Sequence, residues 1–499
     1  MNTQEALTLF REKQLRINSY RLALTTMNWD SSTIAPKKGA DYRNHMMAIL
    51  SGELFSLYID PEYIKLIEQL AAADDLSETE SIEMKQMLKE LNKERNIPKD
   101  VFVEFAQLQR DGETIWEKAK ETSDYPLFKP YLQKLIDGTK RNISYRNDTR
   151  STYASLIDDF ETDMTIEKYD EFFALVKEKL VPLIHAIKEA NIPAPAFLSA
   201  SVPIQQQRAV VELIREYLQY PKDAGLISES VHPFSSSFSA FDNRVTVRYH
   251  ENNFTSSIFA LIHEVGHATY NGQVNPEYQG RHIANSMTYG MHESQSRLYE
   301  NMLGRSKAFW SSLYPKVVEL VDALKDVSLD EFIFGINYVT AQFYRIEADE
   351  LTYPLHVLVR YEIEKDLFEG NLTTEGLDEV WADKYESYLG IRPQSTSEGI
   401  LQDVHWSGGA FGYFPTYALG SAYSAQFMNK MSQDLDIDKL MENNQFDQIN
   451  GWLKDNIHTF GGLYTPEQLL LRITGETFNP SYYIDYLLNK YSELYKIKL

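Results

Sequence analysis

The stretch SSIFALIHEVGHATYNG, residues 256–272, constrains this chain more than any other. Apolar Ile258, Phe259, Leu261, Ile262 and Val265 flank its centre and no proline interrupts it. That pattern predicts a buried or half-buried helix. At its centre His263, Glu264 and His267 form an H-E-x-x-H set. Positions i and i+4 of a helix share one face, a turn apart. His263 and His267 can therefore aim two imidazole nitrogens at one Zn²⁺, ~2.0–2.1 Å from each. Glu264 is turned about 100° around the axis, so it misses the ion but reaches a water beside it. Three polar side chains among such apolar flanks need partners. A metal site of the hydrolase kind supplies them.

A catalytic zinc takes three protein ligands and keeps one position open. A third histidine soon after the pair, as in H-E-x-x-H-x-x-G-x-x-H, is absent, since the chain continues Ala268, Thr269, Tyr270, Asn271, Gly272, Gln273. A carboxylate is the other option. The stretch YGMHESQSRLYENMLG, residues 289–304, reads as a second helix and carries Glu293 and Glu300. Glu293 is the preferred ligand and Glu300 the alternative. The acid that thermolysin-like sites carry four residues after the ligand Glu is replaced by Arg297.

The rest of the chain narrows the class. Its 499 residues are ample for a large core, and length alone suggests about three domains. A net charge of −23 argues against nucleic acid or an anionic membrane as the main partner. Without cysteine the chain forms no disulfide and offers no thiolate to a metal, which fits a reducing compartment. The opening MNTQEALTLFREKQLRINSY lacks the apolar run of a signal peptide. No stretch approaches the ~18–20 apolar residues of a membrane span. The expectation is a cytoplasmic protein.

Residues 1 to 190 read as helical almost throughout, with breaks at Pro36, Pro61, Pro98 and Pro126. Trp29 and Trp116 are candidate core anchors. NIPAPAFLSASVP, residues 191–203, is the most loop-like part of the first half. A helix follows over 206–220. Val245, Val247 and Tyr249 then alternate with Arg244, Thr246 and Arg248, a strand pattern just upstream of the metal helix. That strand either pairs with substrate backbone at the cleft edge or is a structural hairpin. The reading is one catalytic unit over 1–499, with a helical N-terminal part (1–190) and a motif-bearing part (191–499).

Six motifs in order now resemble one family. They are His232-Pro233-Phe234, Asp242-Asn243-Arg244-Val245-Thr246, the HEVGH set and His292-Glu293-Ser294-Gln295. Arg345-Ile346-Glu347-Ala348-Asp349 and Gly399-Ile400-Leu401-Gln402-Asp403-Val404-His405-Trp406 complete the series. The set resembles the carboxypeptidase Taq family of zinc metallocarboxypeptidases, with one departure, Tyr344 where the family has Ile or Asn. The resemblance implies a mainly α, almost entirely helical metallopeptidase with a deep central groove and a small β-sheet beside the HExxH helix. It implies a homodimer that removes single residues from peptide C-termini with broad preference. It also implies Glu293 as third ligand.

The later motifs carry chemistry of their own. A carboxypeptidase must hold a free carboxylate, which arginine does bidentately. Arg345 is the leading candidate and Arg244 the second, with an Arg345–Asp349 helical pair as the plain structural reading. His232 and Gln402 join them as candidate substrate-binding residues. GGAFGYFPTYALGSAYSAQF, residues 408–427, reads as a glycine- and aromatic-rich loop shaping a pocket. Glu264 is the expected general base, and His405 or Tyr417 the expected donor to the oxyanion. The expected cofactor is one Zn²⁺ per subunit, with Co²⁺ or Mn²⁺ able to use the same ligands. The expected substrates are peptides with a free C-terminal carboxylate. A zinc oligopeptidase and a non-catalytic peptide-binding protein are the alternatives.

Overall fold

The computed structural model describes residues 1–146 and 148–498. Helices account for 69% of the chain, so the mainly α expectation holds. Local signals place many of the helix starts. Thr3–Thr33 opens on a capping box between Asn2 and Glu5, and Glu78–Glu94 on one between Ser77 and Glu80. Pro61 and Pro126 stand in the first turns of Pro61–Ala71 and Tyr125–Ser144, where a missing N–H costs no helical bond.

The apolar residues sort into two cores. A small one joins Phe10, Ile17, Tyr63, Leu66 and Met84 within the first 88 residues. The large one runs from Ala119 to Tyr495 and includes Tyr125, Phe172 and Val176. The two cores therefore do not divide at residue 190. Buried Glu83 ties the small core to the rest. It accepts from Arg11 of its own side and from Arg281 and the His282 amide of the other.

Three strands form the sheet, β1 (Gly225–Glu229), β2 (Ser235–Ser239) and β3 (Asp242–Val247), in the order β1-β3-β2. β3 runs parallel to β1 and antiparallel to β2. The strand read from the sequence is thus the central one. Over residues 243–245 both its edges are already hydrogen-bonded, so that stretch does not accept a substrate backbone, which corrects that reading there. β2 is the strand beside the metal helix that keeps a free edge.

The HExxH helix, Phe254–Gln273, is packed on several sides, and Leu261, Ile262 and Val265 are fully buried. Helix Tyr289–Arg297 crosses it at Gly266, where a Cβ would lie 2.7 Å from Ser296 Cα and 2.8 Å from the Gln295 carbonyl. Beyond Arg297 the chain continues as one π turn, Leu298–Leu303. The segment read as a loop over 408–427 becomes helix Pro415–Asp434 after a short 3₁₀ turn at His405–Gly408. Its small residues are a contact face, and Gly420 lies directly on Glu293.

Candidate metal centre

His263, His267 and Glu293 offer ligand atoms that all lie within 4.8 Å of one another. Glu293 Oε2 is 3.7 Å from His263 Nε2 and 3.5 Å from His267 Nε2. A tetrahedral ion with ~2.1 Å bonds needs ligand atoms about 3.4 Å apart, so the three residues fit a divalent cation.

The hydrogen bonds behind the ligands set the tautomers. His263 Nδ1 is 2.9 Å from Glu300 Oε2, so Nδ1 carries the proton and Nε2 is bare. His267 Nδ1 is 2.6 Å from His292 Nδ1, and His292 Nε2 is 3.2 Å from Asn271 Oδ1. Asn271 accepts from His292 Nε2–H, which leaves His292 Nδ1 to accept from His267. His267 Nε2 is then bare as well. Burial holds His292 well below the usual histidine range, which keeps it the neutral acceptor this relay requires. Glu300, the alternative third ligand, lies on the far nitrogen of His263 instead, within hydrogen-bond distance of Nδ1.

Glu293, Arg297 and Glu300 recur at i, i+4 and i+7, one face of a helix. Arg297 Nε donates to Glu293 Oε1 at 2.7 Å and Arg297 Nη1 to Glu300 Oε2 at 3.2 Å. Burial pushes the Glu293 carboxyl up, but Arg297 and the two histidines override it and hold it well below the usual carboxylate range. Glu264 is 7% exposed, facing Ser235 of β2, and burial raises its carboxyl above the usual range. That direction suits a proton acceptor that later gives the proton back.

The centre opens on a cleft of about 1860 Å³. This exceeds the ~300–1,000 Å³ of small-molecule pockets and suits an extended chain. Lys85, Lys89 and Lys93 of the N-terminal half line it, as do His232, Arg345 and Tyr417. Other expected site residues are not on its wall. Arg244 makes a bidentate pair with Asp242 and packs on Phe238. His405 stacks on Tyr413 and packs at a tilt against Phe414, and burial lowers its pKa to about 4. Gln402 accepts from the Arg345 amide and from Arg360 Nη2, so it holds the arginines in place. Trp116 is half-buried and donates to the Leu401 carbonyl.

Arg345 does not pair with Asp349. It sits in a 3₁₀ turn, and its Nη2 donates to Asp403 Oδ1 at 2.9 Å. Asp349 instead accepts from the Leu351 and Thr352 amides at the start of helix Tyr353–Glu369. Arg360 takes the other oxygen of Asp403. Two guanidiniums thus share one carboxylate, and one positive charge is left over. Arg345 Nε is buried and has no hydrogen-bond partner.

Sequence reasoning missed Glu161, which accepts from Thr288 Oγ1 and the Gly290 amide, both at 2.8 Å, at the start of the Glu293 helix. Nothing local marks it, because its partners lie some 130 residues on.

An H-E-x-x-H helix joined to a glutamate of a crossing helix, on the floor of a long cleft, defines a metallopeptidase. The profile of the carboxypeptidase Taq (M32) metallopeptidase family matches residues 9–491. Carboxypeptidase 1 of Bacillus subtilis is 42% identical over 484 residues, 96% of this chain and 97% of that protein. Thermostable carboxypeptidase 1 of Thermus thermophilus is 35% identical over 481 residues, 94% of each chain. The crystal structure of the M32 carboxypeptidase from Deinococcus radiodurans R1 superposes with a TM-score of 0.95 at 30% identity, covering 99% of this chain and 100% of that one. The chain belongs to the carboxypeptidase Taq family and is a metal-dependent carboxypeptidase. The oligopeptidase and binding-protein alternatives give way to that assignment.

Proposed function

We propose that the catalytic cation is Zn²⁺, one per subunit, held by His263, His267 and Glu293. Two bare imidazole nitrogens and one ionised carboxylate are a zinc donor set, which Co²⁺ or Mn²⁺ also satisfies. The chemistry such a cation supplies is Lewis acidity, polarising the scissile carbonyl and acidifying water. Glu264 takes the proton of the attacking water and returns it to the leaving amine. The Tyr417 hydroxyl, on the cleft wall, donates to the developing oxyanion, a role its position supports better than that of His405. Arg345, on the same cleft as the three ligands, binds the C-terminal carboxylate and so limits cleavage to the last residue.

The observation that carries this reading is the surplus positive charge at Arg345, Arg360 and Asp403. In a chain of net charge −23, a substrate carboxylate needs such a local cation. Metal analysis of the purified protein, together with digestion of matched free-acid and amidated peptides, tests it. One equivalent of zinc and loss of cleavage on amidation are expected.

The chain acts as one catalytic unit, a reading supported by cleft walls drawn from both halves of the sequence. A cytoplasmic location is supported by the absence of cysteine. The functional form is a homodimer. Helix Ala40–Tyr58 buries none of its residues, and Ile49 and Phe55 stand half exposed on it, with Phe102 stacked on Phe55. A second copy covering that face explains it. Light scattering should give twice the chain mass for the wild type and the single mass for Ile49→Asp/Phe55→Asp.

A further inference from the structure

Beside the metal ligands lies an aromatic cluster that the mechanism does not use. Phe160 ends helix Thr152–Phe160, Tyr289 opens the Glu293 helix, and Tyr413 lies in the turn before helix Pro415–Asp434. The three rings meet edge to face, with centroids 5.7 Å apart for Phe160–Tyr289 and 5.2 Å for each of the other pairs. All three line the cleft, and Tyr289 is still 53% exposed after those contacts. Tyr289 and Glu293 are four residues apart on one helix, so the ring stands on the face that carries the ligand.

The cluster is continuous with the carboxylate anchor. The Arg345 guanidinium lies over the Tyr417 ring at 4.7 Å, and Tyr417 meets Tyr413 at 5.1 Å. A residue whose carboxylate rests on Arg345 begins its side chain against Tyr417 and Tyr413. A long side chain then runs on to Phe160 and Tyr289. Two lysines near the wall are already paired, Lys89 with Asp158 and Lys93 with Asp159. The three ring faces and edges offer apolar surface, which favours a neutral apolar side chain over a charged one.

We propose that Phe160, Tyr289 and Tyr413 form the subsite for the side chain of the substrate's C-terminal residue, and that it selects aromatic and large aliphatic residues. This rests on Arg345 as the carboxylate anchor. Aromatic contacts of this geometry change binding by about 0.5–1.5 kcal/mol each, or roughly 2- to 12-fold.

The test measures kcat/KM for matched peptides ending in Phe, Leu, Lys or Ala, with a parallel series varied at the penultimate residue and an amidated set. The wild type is expected to favour Phe and Leu over Ala and Lys. Tyr289→Ala, at a half-exposed site, is expected to lower the Phe-to-Ala ratio by about 3- to 10-fold, with Tyr289→Phe retaining it and metal content unchanged in both. Phe160→Ala is expected to act in the same direction. An unchanged ratio in Tyr289→Ala, a wild-type preference for Lys, or an effect that follows the penultimate residue instead overturns the assignment. Equal cleavage of acid and amide removes the Arg345 anchor and this assignment with it. A preference for the acid with an unchanged Phe-to-Ala ratio removes this assignment alone.

Discussion

Gly420 lies directly against Glu293, close enough that a Cβ on it would stand 2.7 Å from both Cβ and Cγ of the ligand residue. Those atoms are near the backbone and cannot swing aside as a flexible side-chain end would. The helix over Glu293 therefore sets how far its carboxylate reaches toward His263 and His267. Gly420→Ala is expected to lower metal content and activity together, with a stability loss of about 1–3 kcal/mol from overpacking. Metal analysis and thermal unfolding read both. Full metal with normal activity would show that the ligand helix tolerates displacement.

Glu293 and Glu300 separate by role. On the proposed ligand set Glu293→Ala removes a ligand, so metal content and activity should both collapse. Glu300→Gln leaves the ligands in place but removes the anion on His263 Nδ1. Metal affinity should then weaken by about 10–100-fold, the usual scale for an orienting partner. Competition with a chelator measures both. The reverse pattern, with metal lost only in Glu300→Gln, would exchange the two assignments.

Glu264→Gln keeps the shape of the buried side chain and removes the base. Metal should stay bound while kcat falls by roughly 10²–10⁴. Near-normal turnover with metal retained would take Glu264 out of the mechanism.

Stability should depend on pH through Glu161. Burial raises its pKa from 4.5 to about 8, with the Thr288 and Gly290 hydrogen bonds opposing. The folded chain thus keeps a proton between those values that the unfolded chain releases. Its contribution is complete below the unfolded value and is lost as pH rises through the folded one. Glu161→Gln cannot ionise, and its amide can donate to Thr288 Oγ1 while its carbonyl accepts from Gly290. The variant should match the wild type in thermal unfolding near pH 5 and exceed it near pH 9. A constant difference across that range would mean that Glu161 does not titrate there.

The parts of the site legible in the sequence were those encoded by local spacing. His263 and His267 at i,i+4 and Glu293 in its own helix are read from helix geometry and motif order. The parts that were not legible depend on distant packing. Asp403 lies 58 residues from Arg345, so the helical Asp349 was the nearer partner on paper. The sheet order that makes β3 central rests on β1 and β2, whose short serine- and glycine-containing stretches carry no strong alternation. The segment around Gly420 reads as a loop from its composition, because small residues that admit a crossing helix are the same ones that mark turns.

Arg345→Met is the most discriminating change, because the fold has a built-in control. Asp403 keeps its pairing with Arg360 when Arg345 is removed, so the buried carboxylate is not orphaned and the loop should hold. Gln402 binds the residue-345 backbone amide, which any side chain leaves intact. What is lost is the surplus charge facing the cleft, together with one hydrogen bond from Nη1 to the Tyr353 hydroxyl. Charge-assisted hydrogen bonds are worth about 1.5–3 kcal/mol each, or roughly 10- to 150-fold in rate per bond. For the wild type, amidating a peptide's C-terminus should nearly abolish cleavage. For Arg345→Met, kcat/KM for the free acid should fall by at least one such factor and the gap between acid and amide should shrink, with metal content unchanged. Arg244→Met, whose guanidinium is held by Asp242 away from the cleft, should leave the acid-to-amide ratio as it is. If the loss appeared in Arg244→Met alone, the reaction would stand and the carboxylate anchor would move to the sheet. Equal cleavage of acid and amide by the wild type would instead remove carboxylate capture from the mechanism altogether.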